Sequence, residues 1–182
     1  MITFAQFVVE YPLSYYKALP DAVPPPEVMD LAKRFGLESH IKWKLLKNKE
    51  FKHSYEIETD TPDGIIAMRL DDEKENWFHE FFHELFDHSD KDSIKPLLDR
   101  IKVACRPSKE WLHKQSGRHY KWIELGEYKY TYSHSGPSYE YDEIFAICGA
   151  YIFGDHGKFK DAEVQKDYEA MLDKLACDKI SV

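Results

Sequence analysis

The stretch HEFFH, residues His79 to His83, decides how the rest of this 182-residue chain is interpreted. Its letters match the pattern H-E-x-x-H, in which two histidines bind a zinc ion and the glutamate acts as a base. On an α-helix, His79 and His83 share one face with Cβ atoms about 5–6 Å apart, so both imidazoles can reach a single ion. Glu80 is then the candidate general base.

The residues around HEFFH predict a buried helix. Asp72 and Glu75 form a capping-box pattern at its start, and Glu73 suits the positive end of the helix dipole. Large apolar side chains surround the helix axis: Trp77, Phe78, Phe81, Phe82, Leu85 and Phe86. A helix that is apolar on nearly all sides lies inside a domain, where polar side chains are costly without a cation or a hydrogen-bonded partner. Asp87 could supply such a partner by orienting one of the histidines.

A catalytic zinc site needs a third protein ligand and one open position for water. Glu143 is the favoured candidate, because it begins a helical face on which Ala146 and Ala150 would allow a close approach to the HEFFH helix. Three other residues remain as alternatives: His88, His134 and Glu140.

The remaining sequence predicts an α+β fold in two parts, a strand and proline-rich arm over residues 1–26 and a single domain over 27–182. Strands are expected over 4–9, 40–47, 51–59 and 64–70, the last three in an antiparallel sheet. Helices are expected over 27–34 with a stop at Gly36, then over 93–104, 108–114, 142–153 and 159–176. An aromatic hairpin is expected over 120–132 with its turn near Gly126.

The composition limits the classes of function. A net charge of −8 disfavours general binding to nucleic acid. No apolar run approaches the roughly 18 residues of a membrane span, and the N-terminal residues lack the pattern of a secretory signal. The three cysteines include no C-x-x-C pair, which argues against a disulfide framework. We therefore expect a soluble cytoplasmic protein with peptides or proteins as partners, and neither nucleic acid nor membrane.

HEFFH followed by a helix that reads E-I-F-A resembles the gluzincin metallopeptidases, particularly the lethal-factor-like and Pro-Pro-endopeptidase group, whose glutamate helix begins E-F-F-A-E. The resemblance implies a zincin-like fold, with a small, mostly antiparallel sheet packed on the buried helix and further helices after it. It also implies Zn²⁺ bound by His79, His83 and Glu143, with Glu80 as general base in peptide hydrolysis. Position 147 is isoleucine where that group has a second glutamate.

The same group has a tyrosine seven residues before the ligand glutamate, and this position is Gly136 here. A tyrosine that donates to the substrate oxyanion must therefore come from elsewhere, with Tyr139 the first choice and Tyr132 and Tyr141 as alternatives. Strand 64–70 would present a sheet edge to an extended substrate. The sequence thus predicts a zinc metalloendopeptidase. The alternative is a non-catalytic zinc-binding or protein-interaction module that retains the zincin-like fold.

Overall fold

The computed structural model describes residues 2–3, 13–46, 55–57, 64–69, 71–105, 111–113, 118–134, 137–154 and 156–178. In this part of the chain, helices and two small sheets form an α+β fold. The helices are α1 Leu13–Lys17, α2 Pro26–Phe35, α3 Lys74–Asp87, α4 Lys91–Cys105, α5 Pro137–Phe153 and α6 Ala162–Asp178. The strands are β1 Ile2–Thr3, β2 Ile41–Leu46, β3 Tyr55–Ile57, β4 Gly64–Arg69, β5 Trp111–His113, β6 Arg118–Leu125 and β7 Tyr128–His134. None of the helices described here is long and apolar enough to cross a membrane.

Helix α3 carries HEFFH and lies in the main core, as its apolar surroundings predict. Every residue from position 77 to 86 is buried. The Phe82 ring packs against α5, with centroid distances of 6.0 Å to Phe145 and 5.6 Å to Phe153. Burying a side chain of this kind contributes about 1.5–3 kcal/mol. The packing therefore holds the HEFFH helix against the helix that carries Glu143.

The first sheet has the strand order β2-β4-β3, so β4 lies at its centre. Strand β3 is antiparallel to β4 but β2 is parallel to it, and the prediction of a wholly antiparallel sheet is wrong. The prediction that strand 64–70 forms a sheet edge is also wrong, because β4 lies between β2 and β3. Ile66 and Met68 of β4 belong to the main core, whereas Ile65 and Ala67 pack with Tyr16 of α1. A strand that is buried on both faces is suited to the middle of a sheet.

The second sheet has the order β1-β7-β6-β5. Strands β6 and β7 form the predicted hairpin, with Gly126 at its turn in a left-handed conformation, φ 57°. The predicted helix over 108–114 is wrong where the structure describes it, because Trp111 and Leu112 lie in β5 and pair with β6. Tertiary strand pairing overrides local preference here. The predicted strand over 4–9 falls outside the described residues.

The segment before α2 packs along the outer side of β2. Ala22 donates its N–H to the carbonyl of Trp43 at 3.0 Å, and Leu45 donates its N–H to the carbonyl of Pro20 at 2.8 Å. Helix α2 follows and ends at the predicted stop, Gly36, where φ is 77°. The β2 edge of the first sheet is therefore already paired with the segment around Asp21.

The start of α3 differs from the predicted capping box. Glu73 occupies the N-cap position without a side-chain hydrogen bond to the helix. The carboxylate of Asp72 instead accepts hydrogen bonds from the backbone N–H of Arg69 at 2.7 Å and from the Asn76 amide at 3.2 Å. Asp72 thus closes the turn after β4, and α3 begins beyond it.

Candidate metal centre

Three buried side chains from two helices meet at one point: His79 and His83 of α3 and Glu143 of α5. The Nε2 atoms of the two histidines are 2.9 Å apart. Oε2 of Glu143 is 3.7 Å from Nε2 of His79 and 4.0 Å from Nε2 of His83. One ligand atom from each residue lies within 4.8 Å of the others. The structure thus brings together the three residues predicted as ligands, in a group that could hold a metal ion.

The local geometry of both helices explains why these side chains converge. His79 and His83 are four residues apart, so they lie one turn from each other on α3. Helix α5 begins at Pro137, well before the predicted start at 142, which places Glu143 in the second helical turn.

Sequence reasoning missed Gly149 of α5, whose missing side chain makes room for the Phe82 ring of α3. Its signal was a glycine inside a helical pattern.

The carboxylate of Glu143 is fully buried, and neither of its oxygens has a hydrogen-bond partner in the described part of the chain. Burial raises the pKa of Glu143 to about 8, and Asp142 and Glu80 add to this effect while His83 opposes it. An ionised carboxylate in such a place is costly unless a cation compensates it. Two imidazoles and a carboxylate are also a donor set that zinc accepts. The residues present therefore fit a bound metal ion.

The two histidines have opposite electrostatic surroundings. Burial, reinforced by the nearby His83, lowers the pKa of His79 well below its usual value. Burial also lowers the pKa of His83, but Asp142, together with Glu143 and Glu80, outweighs it and raises that pKa well above the usual value. The Nε2 atoms of the two rings, 2.9 Å apart, both face the place where a metal ion would bind.

Asp142 is the second feature of the centre that sequence reasoning missed. Its Oδ1 atom is 2.6 Å from Nδ1 of His83, and both side chains are largely buried. The residue predicted for this contact, Asp87, instead forms an exposed ion pair with Lys91 at 2.5 Å. The prediction for Asp87 is therefore wrong, because this residue ends α3 and lies beside the start of α4.

The alternative third ligands are engaged elsewhere wherever the structure describes their side chains. Nε2 of His88 is 2.9 Å from Oε1 of Glu84. The carboxylate of Glu140 binds three side chains: Lys102, Lys121 and Tyr132. Neither His88 nor Glu140 belongs to the cluster. The side chain of His134 falls outside the described residues.

Glu80 lies close to the cluster and is 9% exposed. Its charge is among those that raise the pKa values of His83 and Glu143. The glutamate predicted as general base is therefore near enough to act electrostatically on two of the candidate ligands.

Two of the three candidate tyrosines use their hydroxyl groups away from the cluster. Tyr132 donates to Glu140 at 3.1 Å, and Tyr141 donates to Asp99 at 2.6 Å. The pKa of Tyr141 is raised to about 12, mainly by its hydrogen bond to Asp99. Tyr139 belongs to α5, but its side chain lies outside the described residues, so its role stays a prediction.

Comparisons with protein-family models, with the curated proteins and with solved structures found no match to this chain.

Proposed function

We propose that this chain is a zinc-dependent metalloendopeptidase with a zincin-like fold, similar to the gluzincins. The observation that carries the proposal is the convergence of His79, His83 and Glu143, with the Glu143 carboxylate buried and without a hydrogen-bond partner among the described residues. A bound cation would compensate the charge of this carboxylate and bind the Nε2 atoms of both histidines. The intact Glu80 beside the first histidine favours a catalytic centre.

Zinc is the metal that we propose. Catalytic zinc sites use three protein ligands, with two histidines and a glutamate as one common set, and leave one position open. Two histidines and a carboxylate also occur in Fe(II) sites. The two histidines of this chain lie four apart on one helix with Glu80 directly after the first, which favours the zinc pattern. Elemental analysis of the purified protein distinguishes the two metals.

Each residue near the cluster has a defined part in the proposed reaction. A zinc ion, when bound, would lower the pKa of a bound water towards about 7 and polarise the scissile carbonyl. Glu80 would accept the proton of the attacking water and transfer it to the leaving amine. Tyr139 remains our choice for the hydroxyl that donates to the oxyanion, since Tyr132 and Tyr141 are bonded elsewhere.

The substrate would be a peptide or an extended protein segment. Strand β4 is central in its sheet, and the outer side of β2 is paired with the segment around Asp21. Strand β3 contacts α3 and pairs with β4 on one side. We therefore place the backbone of the substrate along β3, where strand addition would align it with the HEFFH helix.

One observation favours the alternative, a non-catalytic metal-binding or protein-interaction module of the same fold. His79 and His83 are each only 2% exposed and Glu143 is 0% exposed. A metal ion enclosed in this way would hold α3 and α5 together, as closed structural zinc sites do. The two proposals differ in whether Glu80 is needed for chemistry.

Protein purified without added metal and loaded with one equivalent of zinc tests the proposal on a broad peptide library. Glu80→Gln removes the base and retains a similar size, so it should keep zinc and lose at least about 100-fold in cleavage rate. Glu84→Gln is the matched control, since its carboxylate faces Gly64 and His88 and should leave cleavage unchanged. Equal cleavage by all three proteins, or no cleavage by zinc-loaded wild type, would count against a peptidase.

A further inference from the structure

The Asp142 carboxylate and the imidazole of His83 lie 2.6 Å apart, measured from Oδ1 to Nδ1. We propose that Asp142 is a positioning residue that holds His83 with Nε2 directed at the metal ion. This inference rests on the proposed metal centre. It assigns a role to a residue that would not touch the metal, the water or the substrate.

The two nitrogens of the His83 ring face different partners. Nδ1 faces Asp142, whereas Nε2 faces His79 at 2.9 Å and Glu143 at 4.0 Å. Because a carboxylate accepts but does not donate, Nδ1 must carry a hydrogen in this contact. In the neutral ring, Nε2 is then the nitrogen with a free lone pair. Asp142 thus selects the tautomer that can bind a metal through Nε2.

Helix α5 would supply both a ligand and the group that orients another ligand. Asp142 and Glu143 are consecutive, so their side chains leave the helix about 100° apart. This divergence lets Glu143 approach the Nε2 side of His83 while Asp142 approaches the Nδ1 side. A small rotation or shift of α5 would disturb both contacts at once. Metal affinity should therefore depend on Asp142 although it is not a ligand.

The other residues that could have supplied this carboxylate do not contact His83. Position 147, where the resembling group has a second glutamate, is isoleucine in this chain and is fully buried in the main core. Asp87 and Glu84 of α3 are bonded to Lys91 and His88. Among these acidic side chains, Asp142 is the one that lies within hydrogen-bond distance of His83.

The test compares zinc affinity and the visible spectrum of the Co²⁺-loaded protein in wild type, Asp142→Ala and Asp142→Asn. Loss of the carboxylate should weaken zinc binding about 10–100-fold and alter the Co²⁺ absorption bands. Asp142→Glu, which retains a carboxylate, should recover part of both. Asp99→Ala is the matched control for Asp142→Ala, because it removes the carboxylate that accepts a hydrogen bond from the neighbouring Tyr141 and is not part of the cluster.

The outcomes distinguish this inference from the metal centre itself. Folded Asp142→Ala with the affinity and spectrum of the wild type would overturn the positioning role and leave the metal centre intact. A wild type that binds neither Zn²⁺ nor Co²⁺ would overturn both. If the variants do not fold, nitrogen-15 NMR of the zinc-loaded wild type decides. The signal of His83 should show metal bound at Nε2 and hydrogen at Nδ1, and the reverse assignment would overturn the proposal.

Discussion

Phe82 of α3 and Gly149 of α5 lie in direct contact, and the Phe82 ring fills the space that a β-carbon at position 149 would need. This contact sets how closely the helix with both histidines approaches the helix with Glu143. We expect Gly149→Ala to reduce the free energy of unfolding by about 1–3 kcal/mol, because the ring must move or the helices must separate. Chemical denaturation measures the change.

A second substitution in the same contact is the control. Phe82→Leu makes room for the added methyl group. Adding Gly149→Ala to Phe82→Leu should therefore reduce the free energy of unfolding by less than adding Gly149→Ala to the wild type does. Gly149→Ala should likewise weaken zinc binding less in the Phe82→Leu background than in the wild type, since stability and zinc affinity both depend on the separation of α3 and α5. Strictly additive effects would mean that the ring and the methyl group do not interfere.

The parts of the fold with strong local signals were predictable from the sequence. The apolar surroundings of HEFFH predict a buried helix, and Gly36 and Gly126 end a helix and close a hairpin as expected. The order of strands in the first sheet was not predictable, because each strand shows only its own pattern of burial. Whether β4 lies at the centre depends on pairing with β2, which is remote in sequence.

The same distinction applies to the metal centre. His79 and His83 can be paired from their spacing, since one helix fixes their relation. The choice between Asp87 and Asp142 as the partner of His83 could not be made in this way. Asp142 is 59 residues from His83, and the contact depends on how α5 is rotated against α3. Local spacing favoured Asp87, but Lys91 of the next helix pairs with it instead.

The identity of the third ligand is open to a direct measurement of zinc affinity. Loss of a group that only orients a ligand weakens metal binding by up to roughly 100-fold. We expect Glu143→Ala to weaken zinc binding by more than this, because it removes a ligand. His88→Ala and Glu140→Ala should change it little, because both side chains are bonded outside the cluster. A chelator competition assay gives the three affinities. A larger loss in either control than in Glu143→Ala would exclude Glu143 as the ligand.

The carboxylate of Glu84 occupies the space beside Gly64 where a side chain would otherwise lie. It is buried and 2.9 Å from Nε2 of His88, so it cannot move without breaking that contact. We expect Gly64→Ala to cost about 1–3 kcal/mol of stability. In the background of Glu84→Ala the same substitution should cost clearly less. Denaturation of all four proteins gives the coupling energy, and a value near zero would contradict the contact.

The metal-free protein should lose stability as the pH rises above about 6.5, the ordinary histidine pKa, below which the lowered pKa of His79 acts in the opposite direction. The pKa of Glu143 is about 8 in the folded chain against an ordinary value of 4.5, so between these values the folded state binds more protons than the unfolded state. His83 acts in the same direction, because its folded pKa lies well above 6.5 and its stabilising contribution is lost as the pH passes that folded value. Unfolding free energies in chelator, from about pH 6.5 to about pH 9, measure the slope.

Zinc should reverse this trend, because it requires an ionised Glu143 and a neutral His83. Binding therefore releases protons, and zinc affinity should increase with pH over the range in which the metal-free protein becomes less stable. The stabilisation that saturating zinc provides should accordingly be larger at about pH 8 than at about pH 5. Glu143→Gln is the control, since an amide cannot ionise and the metal-free variant should show a weaker dependence on pH than the wild type. Equal pH profiles for the metal-free wild type and Glu143→Gln would show that the Glu143 carboxylate is not held protonated in the fold.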